Sequence, residues 1–260
     1  MPGPQPTPDA IWEAATEEGE RRVGRGTAAI ASAAFVGGAD VMIGLTAVTS
    51  LAGGLALIMN PTAADRLGAL VFGIGFVAIT VGRGELFTEN FMIPFAAAFA
   101  GRARVTQLVR LYGLALVANL IAVALFAWML SRTKVLDEGA LRAAGRLADV
   151  YAARPVGAAF LSAVVAGALV TLWTWMSEAA DSDIGRIVIA FLIGLAISVS
   201  SLNHVIVVTG AMIFGHLSGH STVDWLDIYR NFGVAIVGNI VGGFGFVTLT
   251  RVVQARGEEG

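Results

Sequence analysis

G-R-G-E-L-F-T-E-N, residues 82–90, interrupts a part of the chain that is otherwise apolar on both sides. The flanking segments 67–81 and 91–100 contain no charged residue. Hydrocarbon about 30 Å thick needs roughly 20 helical residues, so neither flank is long enough to cross a bilayer alone. The economical interpretation is one membrane-spanning segment that is broken in its middle by a polar loop. Such a broken helix at membrane depth usually lines a path through the protein.

The composition of the whole chain is typical of a multi-spanning membrane protein. Its 260 residues are 56% hydrophobic and only 14% charged, whereas soluble domains carry about 25% charged residues. A net charge of -2 without a basic run points to no nucleic-acid partner. The lack of cysteine excludes disulfides and thiolate metal sites. We therefore predict an all-α integral membrane protein that is surrounded by membrane lipid.

Six transmembrane helices are predicted from the apolar runs. The predicted spans are residues 27–59, 67–100, 108–130, 156–176, 187–214 and 232–253. Span 5 is broken like span 2, because S-S-L-N-H at 200–204 interrupts its apolar run. Asp65 and Arg66 are placed in the loop before span 2, and the apolar residues of 131–154 predict a helix on the surface of the longest polar connection. Six spans of about 25 residues use nearly the whole chain as one transmembrane domain.

The ends of the chain are predicted to lie outside the spans. Residues 1–26 form an N-terminal tail with a disordered proline-rich start and a short helix from Pro8. That helix is either an interfacial anchor or a solvated segment. Residues 27–253 form the transmembrane domain, and 254–260 form a C-terminal tail. Basic residues in the N-terminal tail and in the loop after span 2 favour a multi-pass protein of the inner membrane with both termini in the cytoplasm.

The two halves of the chain resemble each other at an offset of 120 residues. Segment 112–126 aligns with 232–246, with glycine, alanine, valine, asparagine and phenylalanine in register. The same offset aligns the break at 83–90 with residues 203–210. Each half holds three spans, so the second half must enter the membrane from the opposite side. We therefore predict two inverted three-span repeats, with spans 2 and 5 broken.

Two further similarities belong to the repeat. A-A-F begins at Ala33 in span 1 and at Ala158 in span 4. Asn119 and Asn239 recur in the middle of spans 3 and 6. The simplest role for these asparagines is to hydrogen-bond the backbone groups that the breaks leave unpaired.

Three motifs together resemble the formate/nitrite transporter family: E-L-F-T-E-N at 85–90, L-N-H-V at 202–205 and G-N-I-V-G-G at 238–243. The resemblance covers about residues 28–251. It implies an aquaporin-like protomer, assembly as a homopentamer, and one pore in each protomer for a small monovalent anion such as formate or nitrite. The sequence G-R-x-x-L-F-T-E-N resembles a less characterised branch of the family, which leaves the solute open.

The resemblance also implies a pore site around His204, which matches the family's central histidine. An anion is costly to carry through hydrocarbon, so a histidine that donates a hydrogen bond or proton would ease passage. Thr88 matches the loop threonine that bonds the solute or the histidine; alternatively, it caps the second half-helix. Leu86 and Phe87 resemble a hydrophobic constriction; alternatively, they pack in the core. Asn203 stands beside the histidine, where the family often has glutamate.

Charged and amide residues complete the predicted site. Arg186 matches a basic residue before span 5 and is expected to attract the anion; alternatively, it is an ordinary loop charge. Arg83 is unusual for the family, and as a buried arginine it would need Glu85, Glu89 or Asp40 as a partner. The predicted structural supports of the breaks are Arg83, Glu85, Glu89, Asn90, Asn119 and Asn239.

We predict a membrane channel or transporter for small monovalent weak-acid anions or their protonated acids. An aquaporin-like channel for a small neutral solute is the alternative, because Asn203 replaces a frequent glutamate. An enzyme is disfavoured, since no nucleophile pairs with His204 and the acids of the first break. His216, His220 and Asp224 have ligand-like spacing, but a fourth ligand is lacking, so neither a metal nor a cofactor is predicted.

Overall fold

The computed structural model describes residues 6–132 and 134–257, in which every regular element is helical and no strand occurs. The α-helices are α1 (Pro8–Gly24), α2 (Thr27–Leu55), α3 (Pro61–Gly68), α4 (Gly73–Gly82), α5 (Ile93–Phe99), α6 (Val105–Leu130), α7 (Glu138–Ala152), α8 (Val156–Glu178), α9 (Asp183–Val199), α10 (Val205–Ser218), α11 (Trp225–Ile240) and α12 (Leu249–Gly257). Two 3₁₀ helices cover Ala69–Val71 and Phe87–Phe91, and a π-helix covers Val241–Thr248. The all-helical class predicted from the sequence is confirmed. The call of disorder for 1–8 lies partly outside the described residues, as does the end of the C-terminal tail.

Five helical segments of the described chain are long and apolar enough to cross a membrane. They are Thr27–Leu55, Pro61–Gly82, Val105–Leu130, Val156–Glu178 and Trp225–Gly257. Helix α10 is also apolar but has only 14 residues, and α9 has 17. The predicted span 5 therefore consists of two helices, each shorter than any of those five segments, that are separated by residues 200–204.

The helix before the first break is longer than predicted. It begins at Pro61, directly after Asn60. The side chain of Asn60 caps the helix, because its Oδ1 accepts the N–H of Thr62 at 2.9 Å. Asp65 and Arg66 were predicted in a loop, but both lie inside α3, where Arg146 of α7 holds the carboxylate of Asp65 at 2.7 Å. The segment up to Gly82 has 22 residues, so the prediction that this flank is too short to cross a bilayer was wrong.

Helix α7 packs against α2 and α10, and the prediction of a surface helix was wrong for most of it. Alanine and glycine form the packed face: a Cβ on Gly215 of α10 would lie 2.4 Å from Cβ of Ala148. Leu141 is buried against the same core, whereas Val150 is exposed. Burial also raises the pKa of Tyr151 to about 12. Small side chains thus let α7 enter the helix bundle, as in close helix packing generally.

Helix α1 packs onto the protein through one face. Ile11 and Ala15 are buried in a cluster with Ile93 of α5 and Trp175 of α8. Gly19 is so close to α5 that a Cβ would lie 2.1 Å from the carbonyl oxygen of Ile93. The N-terminal helix therefore covers the chain that follows the first break.

Each break begins with a residue in the left-handed backbone region. Arg83 follows α4 with φ 56° and ψ 32°, and Ser201 follows α9 with φ 48°. This conformation costs a residue with a Cβ roughly 1–2 kcal/mol. The surrounding structure must therefore hold both turns in place.

Asn119 of α6 holds the first break. Its Oδ1 accepts the N–H of Phe87 at 2.8 Å, and its Nδ2 donates to the carbonyls of Ala34 at 2.6 Å and Glu85 at 2.9 Å. The side chain is fully buried. One amide thus satisfies the N–H of Phe87 and the carbonyl of Glu85, which the broken helix could not pair, and ties the break to the carbonyl of Ala34 in α2.

Asn239 of α11 makes the same three bonds at the second break. Its Oδ1 accepts the N–H of Val205 at 2.9 Å, and its Nδ2 donates to the carbonyls of Ala163 at 2.8 Å and Asn203 at 3.0 Å. The two halves of the chain therefore build their breaks from equivalent contacts.

These contacts replace the predicted single offset of 120 residues. The two asparagines are 120 residues apart, but Phe87 and its counterpart Val205 are 118 apart, and Ala34 and Ala163 are 129 apart. The alignment of 83–90 with 203–210 was therefore wrong by two residues, and that of the two A-A-F sequences by one helical turn. The segments that connect equivalent elements differ in length between the halves.

Candidate functional site

The two breaks meet in a hydrogen bond between Thr88 and His204. Thr88 Oγ1 lies 2.6 Å from His204 Nε2, and both side chains are fully buried. His204 also caps α10, because its Nδ1 accepts the N–H of Val207 at 3.3 Å. An imidazole nitrogen that accepts carries no hydrogen, so in the neutral ring Nε2 holds the proton and donates it to Thr88. The hydroxyl hydrogen of Thr88 is then left to bond a further acceptor.

Thr88 does not cap the second half-helix, so that alternative is wrong. Neither the 3₁₀ helix Phe87–Phe91 nor α5 begins with a side-chain cap. The chain there is irregular because Pro94 has no N–H to donate to the carbonyl of Asn90. The hydroxyl of Tyr112 donates to that carbonyl instead. Thr248 of the π-helix similarly donates to the carbonyl of Phe91 at 2.8 Å. Tyr112 and Thr248 were missed, because neither stands in a polar interruption of the sequence.

Apolar side chains surround the meeting point. Leu86 and Phe87, the two residues before Thr88, are both buried. The ring of Phe76 lies 6.5 Å from the ring of His204, edge on, and 4.9 Å from the ring of Trp173. The histidine and threonine therefore form a small polar group inside an apolar enclosure.

Asn203 was predicted as a pore residue, but its side chain forms hydrogen bonds with other groups of the protein. Asn203 and Asn231 of α11 exchange two side-chain hydrogen bonds, each 3.0 Å long. The Nδ2 of Asn203 also donates to the carbonyl of Ala159 at 3.2 Å. The side chain thus fixes the second break to α8 and α11. Asn231 was missed, because the sequence gives it no counterpart in the repeat.

A cavity of about 490 Å³ lies beside the first break on the side where α1 packs, and we call it the α1-side cavity. Helices α1, α4, α8 and α9 and the first break contribute its lining. Five arginines and four glutamates line it. Arg186 and Arg83, which the sequence suggested for different roles, both face this cavity.

Arginines of α1 and of the turn after it bond the first break. Arg25 forms an ion pair with Glu85, and Arg22 lies 3.8 Å from the same carboxylate. Arg22 also bonds Glu18 at 2.7 Å and donates to Asn90 at 3.3 Å. Burial disfavours the charge of Arg22, but Glu85, Glu18 and Glu89 outweigh it and raise the pKa of Arg22. The first break is thus held by charges that come from outside the spans.

Arg83 does not make the ion pair that the sequence suggested. Its side chain is exposed and lines the α1-side cavity, and no described residue forms an ion pair or a hydrogen bond with it. Glu85 is paired with Arg25 instead. Glu89 and Asp40 each keep one buried carboxylate oxygen without a hydrogen-bond partner among the described residues. The left-handed turn at Arg83 directs it away from the core.

Arg186 is anchored at the start of α9. Its Nε donates to the carbonyl of Ser177 at 3.1 Å, and its Nη1 lies 3.4 Å from the carboxylate of Asp183. The guanidinium is about one-third exposed. The structure therefore places this charge at the cavity lining, with a partner in the same helix.

A second arginine reaches the other break. Arg154, two residues before α8, donates to Ser162 Oγ at 3.1 Å, and the same oxygen accepts the N–H of Asn203 at 3.1 Å. Arg25 stands two residues before α2 and reaches Glu85 at the first break. Both arginines were missed as site residues; the available signal was the position of an arginine two residues before the first span of each half.

Long apolar helices, two interrupted helices that meet at a buried histidine, and a charged cavity on one side define a membrane transport protein. The family model for the formate/nitrite transporter matches residues 9–253. The chain belongs to the formate/nitrite transporter family. The resemblance predicted from the three motifs is thereby confirmed.

Known relatives and solved structures agree with this assignment. The chain is 26% identical over 244 residues to the formate channel BtFdhC of Bacillus thuringiensis, and the alignment covers 92% of each chain. It is 25% identical to the inner membrane protein YfdC of Escherichia coli (strain K12), over 96% of this chain and 79% of that protein. An FNT family ion channel shares the fold with a TM-score of 0.79 at 18% identity, over 94% of this chain and 98% of the channel. A pentameric formate channel with formate bound has a TM-score of 0.72 at 20% identity, over 87% and 96% of the two chains. Three of these four proteins are named as channels, which indicates a transport protein rather than an enzyme.

Proposed function

We propose that this protein conducts small monovalent weak-acid anions such as formate or nitrite, or their protonated acids, across the inner membrane. The observation that carries the proposal is the hydrogen bond between Thr88 and His204 at the point where the two breaks meet. The relative BtFdhC, named as a formate channel, supports the choice of solute. Membership of the formate/nitrite transporter family supports the class of solute.

The architecture that we propose has six spans in two inverted three-span repeats. Helices α9 and α10 together form the fifth span, and the equivalent bonds of Asn119 and Asn239 support the repeat. The similarity to a pentameric formate channel supports a homopentamer with one pore in each protomer. Both termini lie in the cytoplasm, so the α1-side cavity opens to that side. Basic residues of α1 support this orientation.

In this proposal His204 and Thr88 give the solute strong polar contacts in an apolar passage. The Nε2 proton is donated to Thr88, and the threonine hydroxyl can donate in turn to an oxygen of the solute. A neutral acid enters an apolar region at far lower cost than its anion, so a proton shared at this point eases passage. Leu86, Phe87 and Phe76 exclude hydrated ions. Arg83 and Arg186 draw the anion toward the entrance.

Uptake of formate and nitrite into proteoliposomes tests the proposal. His204→Asn keeps an acceptor that can cap α10 but removes the Nε2 proton. We therefore expect at least a tenfold loss of flux, roughly the effect of one lost hydrogen bond. His204→Ala should lose as much flux and be less stable. His216→Asn is the matched control, because His216 bonds the carbonyl of Val223 at 2.7 Å and takes no part in the breaks.

Three outcomes separate the alternatives. Unchanged flux in His204→Asn would remove the histidine from the mechanism. A wild-type protein that moves no small anion at any pH would overturn the proposed function. Permeation of water or glycerol that is insensitive to pH and to membrane potential would instead favour the aquaporin-like channel for a neutral solute.

A further inference from the structure

The last apolar segment contains a π-helix that its counterpart in the first half lacks. Val241–Thr248 is a π-helix between α11 and α12, whereas α6 is one uninterrupted α-helix. A π-helix bonds each N–H to the carbonyl five residues back, as the N–H of Leu249 bonds the carbonyl of Phe244, so it takes up one extra residue. Because successive residues of an α-helix are about 100° apart around its axis, one extra residue turns the side chains that follow by about that angle.

The burial of the side chains shows this turn. From residue 232 to residue 244, burial closely follows that in α6 at the offset of 120 residues. At the end of the π-helix the offset has become 121, so that Thr248 is buried like Ala127 and Leu249 is exposed like Trp128. In a continuous α-helix Thr248 would take the outward position of Trp128. The extra residue therefore turns Thr248 toward the interior of the protein.

In this position the hydroxyl of Thr248 reaches the first break. Its Oγ1 lies 2.8 Å from the carbonyl oxygen of Phe91 and 3.1 Å from that of Gly243, and the side chain is fully buried. A hydroxyl has one hydrogen to donate. The shorter contact goes to the break, and the longer one stays within the π-helix itself.

The carbonyl that Thr248 holds belongs to the short helix that carries Thr88. Phe87–Phe91 is a 3₁₀ helix, in which residues three apart are eclipsed, so Phe91 lies one turn directly beyond Thr88. Asn119 bonds the first N–H of this helix at 2.8 Å, and Thr248 bonds its last carbonyl. The segment that presents Thr88 to His204 is thus fixed at both ends by side chains of other helices.

The π-helix also contacts the ring of Phe91. Gly243 is so close that a Cβ would lie 2.6 Å from a ring carbon of Phe91. The ring of Phe91 in turn meets the ring of Phe87 edge on, with 5.1 Å between the centroids. The π-helix therefore supports both the backbone that carries Thr88 and the ring beside it.

We propose that Thr248 is a positioning residue for Thr88. Through the carbonyl of Phe91 it holds the Thr88 hydroxyl where that group meets both His204 and the solute, and the π-helix is what turns Thr248 to this place. The inference rests on the proposed function, because it concerns the contact of Thr88 with the solute. It makes the affinity for the solute depend on a residue outside both breaks.

The concentration dependence of formate uptake into proteoliposomes tests this role. Thr248→Val keeps the shape of the side chain and removes its hydroxyl, so we expect the half-saturating formate concentration to rise about three- to tenfold, as for one weakened hydrogen bond. Thr248→Ser restores the hydroxyl and should return to within about twofold of the wild type. Thr250→Val is the matched control, since the exposed Thr250 donates only within its own helix, to the carbonyls of Phe246 and Val247.

A double-mutant cycle separates action through Thr88 from a general loss of stability. Thr88→Val should itself raise the half-saturating formate concentration. If Thr248 acts through Thr88, the double variant Thr88→Val/Thr248→Val should be no worse than Thr88→Val alone. Two effects that multiply would show that Thr248 acts independently of Thr88 and would overturn the proposal.

Hydrogen exchange of the purified protein gives a readout without transport. We expect the amides of residues 86–93 to exchange at least tenfold faster in Thr248→Val than in the wild type and Thr250→Val, while those of residues 203–207 keep their rate. Equal acceleration at both breaks would contradict the local role. Wild-type uptake with an unchanged half-saturation in Thr248→Val would overturn the inference and leave the proposed function intact. Faster exchange confined to the first break, in a protein that moves no small anion, would support the positioning role and overturn the proposed function.

Discussion

Arg25 and Arg154 occupy equivalent positions 129 residues apart, yet only Arg25 has a carboxylate partner among the described residues. Arg25 pairs with the buried Glu85, whereas Arg154 bonds the hydroxyl of Ser162 and lies 5.3 Å from the ring centroid of Tyr151. The residue equivalent to Glu85 in the second half is the uncharged Asn203. The two breaks therefore share one geometry but differ in charge.

The first prediction concerns the stability of the two breaks. Arg25→Ala leaves the buried Glu85 with only the more distant Arg22, 3.8 Å away, so we expect a loss of up to about 3–5 kcal/mol in the free energy of unfolding. Arg154→Ala removes a hydrogen bond to a neutral group, and about 1–2 kcal/mol should be lost. Thermal unfolding in detergent checks both variants. The double variant Arg25→Ala/Glu85→Gln should recover part of the loss, and equal effects of the two single variants would contradict this account.

The second prediction concerns Tyr112 and Pro94. Tyr112→Phe leaves the carbonyl of Asn90 without a donor, and we expect a loss of about 1–3 kcal/mol. Pro94→Ala restores the N–H that a helix donates to that carbonyl. The effect of Tyr112→Phe should therefore shrink to less than half in the Pro94→Ala background. Unfolding of the four proteins of this cycle measures the coupling, and strictly additive effects would exclude it.

The third prediction concerns the buried amides of the breaks. Asn119→Leu keeps the approximate size of the side chain but leaves the N–H of Phe87 and the carbonyl of Glu85 unpaired, and it removes a bond to the carbonyl of Ala34 in α2. Each such group costs about 1–3 kcal/mol, so we expect the variant to fold poorly or to unfold at a much lower temperature. Asn119→Asp keeps the acceptor for Phe87 and should be less damaging at low pH than at neutral pH. Size-exclusion profiles and thermal unfolding of both variants provide the measurement.

The fourth prediction concerns the pH dependence of α1 packing. Burial would raise the pKa of Glu18, but Arg22 and Arg21 outweigh it and hold the pKa below its ordinary value of 4.5. A carboxylate with a lowered pKa in the folded state contributes stability above its unfolded pKa and loses it as the pH falls through the folded value. Protease cleavage within α1 should therefore accelerate as the pH falls below 4.5. Glu18→Gln should weaken this dependence, while the exposed Glu17→Gln should leave it unchanged.

Local sequence patterns were sufficient for the helical class and for the position of both interruptions. Apolar runs and their polar gaps are properties of neighbouring residues, so they can be read without knowledge of packing. The repeated asparagines also pointed to the breaks, since a polar side chain in the middle of a span needs a partner. The resemblance to the formate/nitrite transporter family, and not the local pattern, brought Thr88 and His204 into one hypothesis, and they are in contact in the structure.

Contacts between distant segments could not be predicted in this way. Arg25 reaches Glu85 across 60 residues, and Arg146 holds Asp65 across 81. Which charge pairs with which depends on how the helices pack, and the closeness of α7 to the bundle depends on glycine and alanine at the contact. Arg83 was expected to be buried because it follows an apolar helix. Its left-handed backbone conformation turns it outward, and the sequence alone did not indicate that conformation.

The ion pairs of Arg22 and Arg25 limit how far the N-terminus of this protein can be shortened without loss of function. A shortened chain that begins at the first long apolar helix would keep every membrane-crossing segment. It would nevertheless lose the cations that neutralise Glu85, together with the face of α1 that covers Ile93. Expression and reconstitution should therefore retain α1 and the turn after it, and affinity tags should be joined to the N-terminus through a long linker.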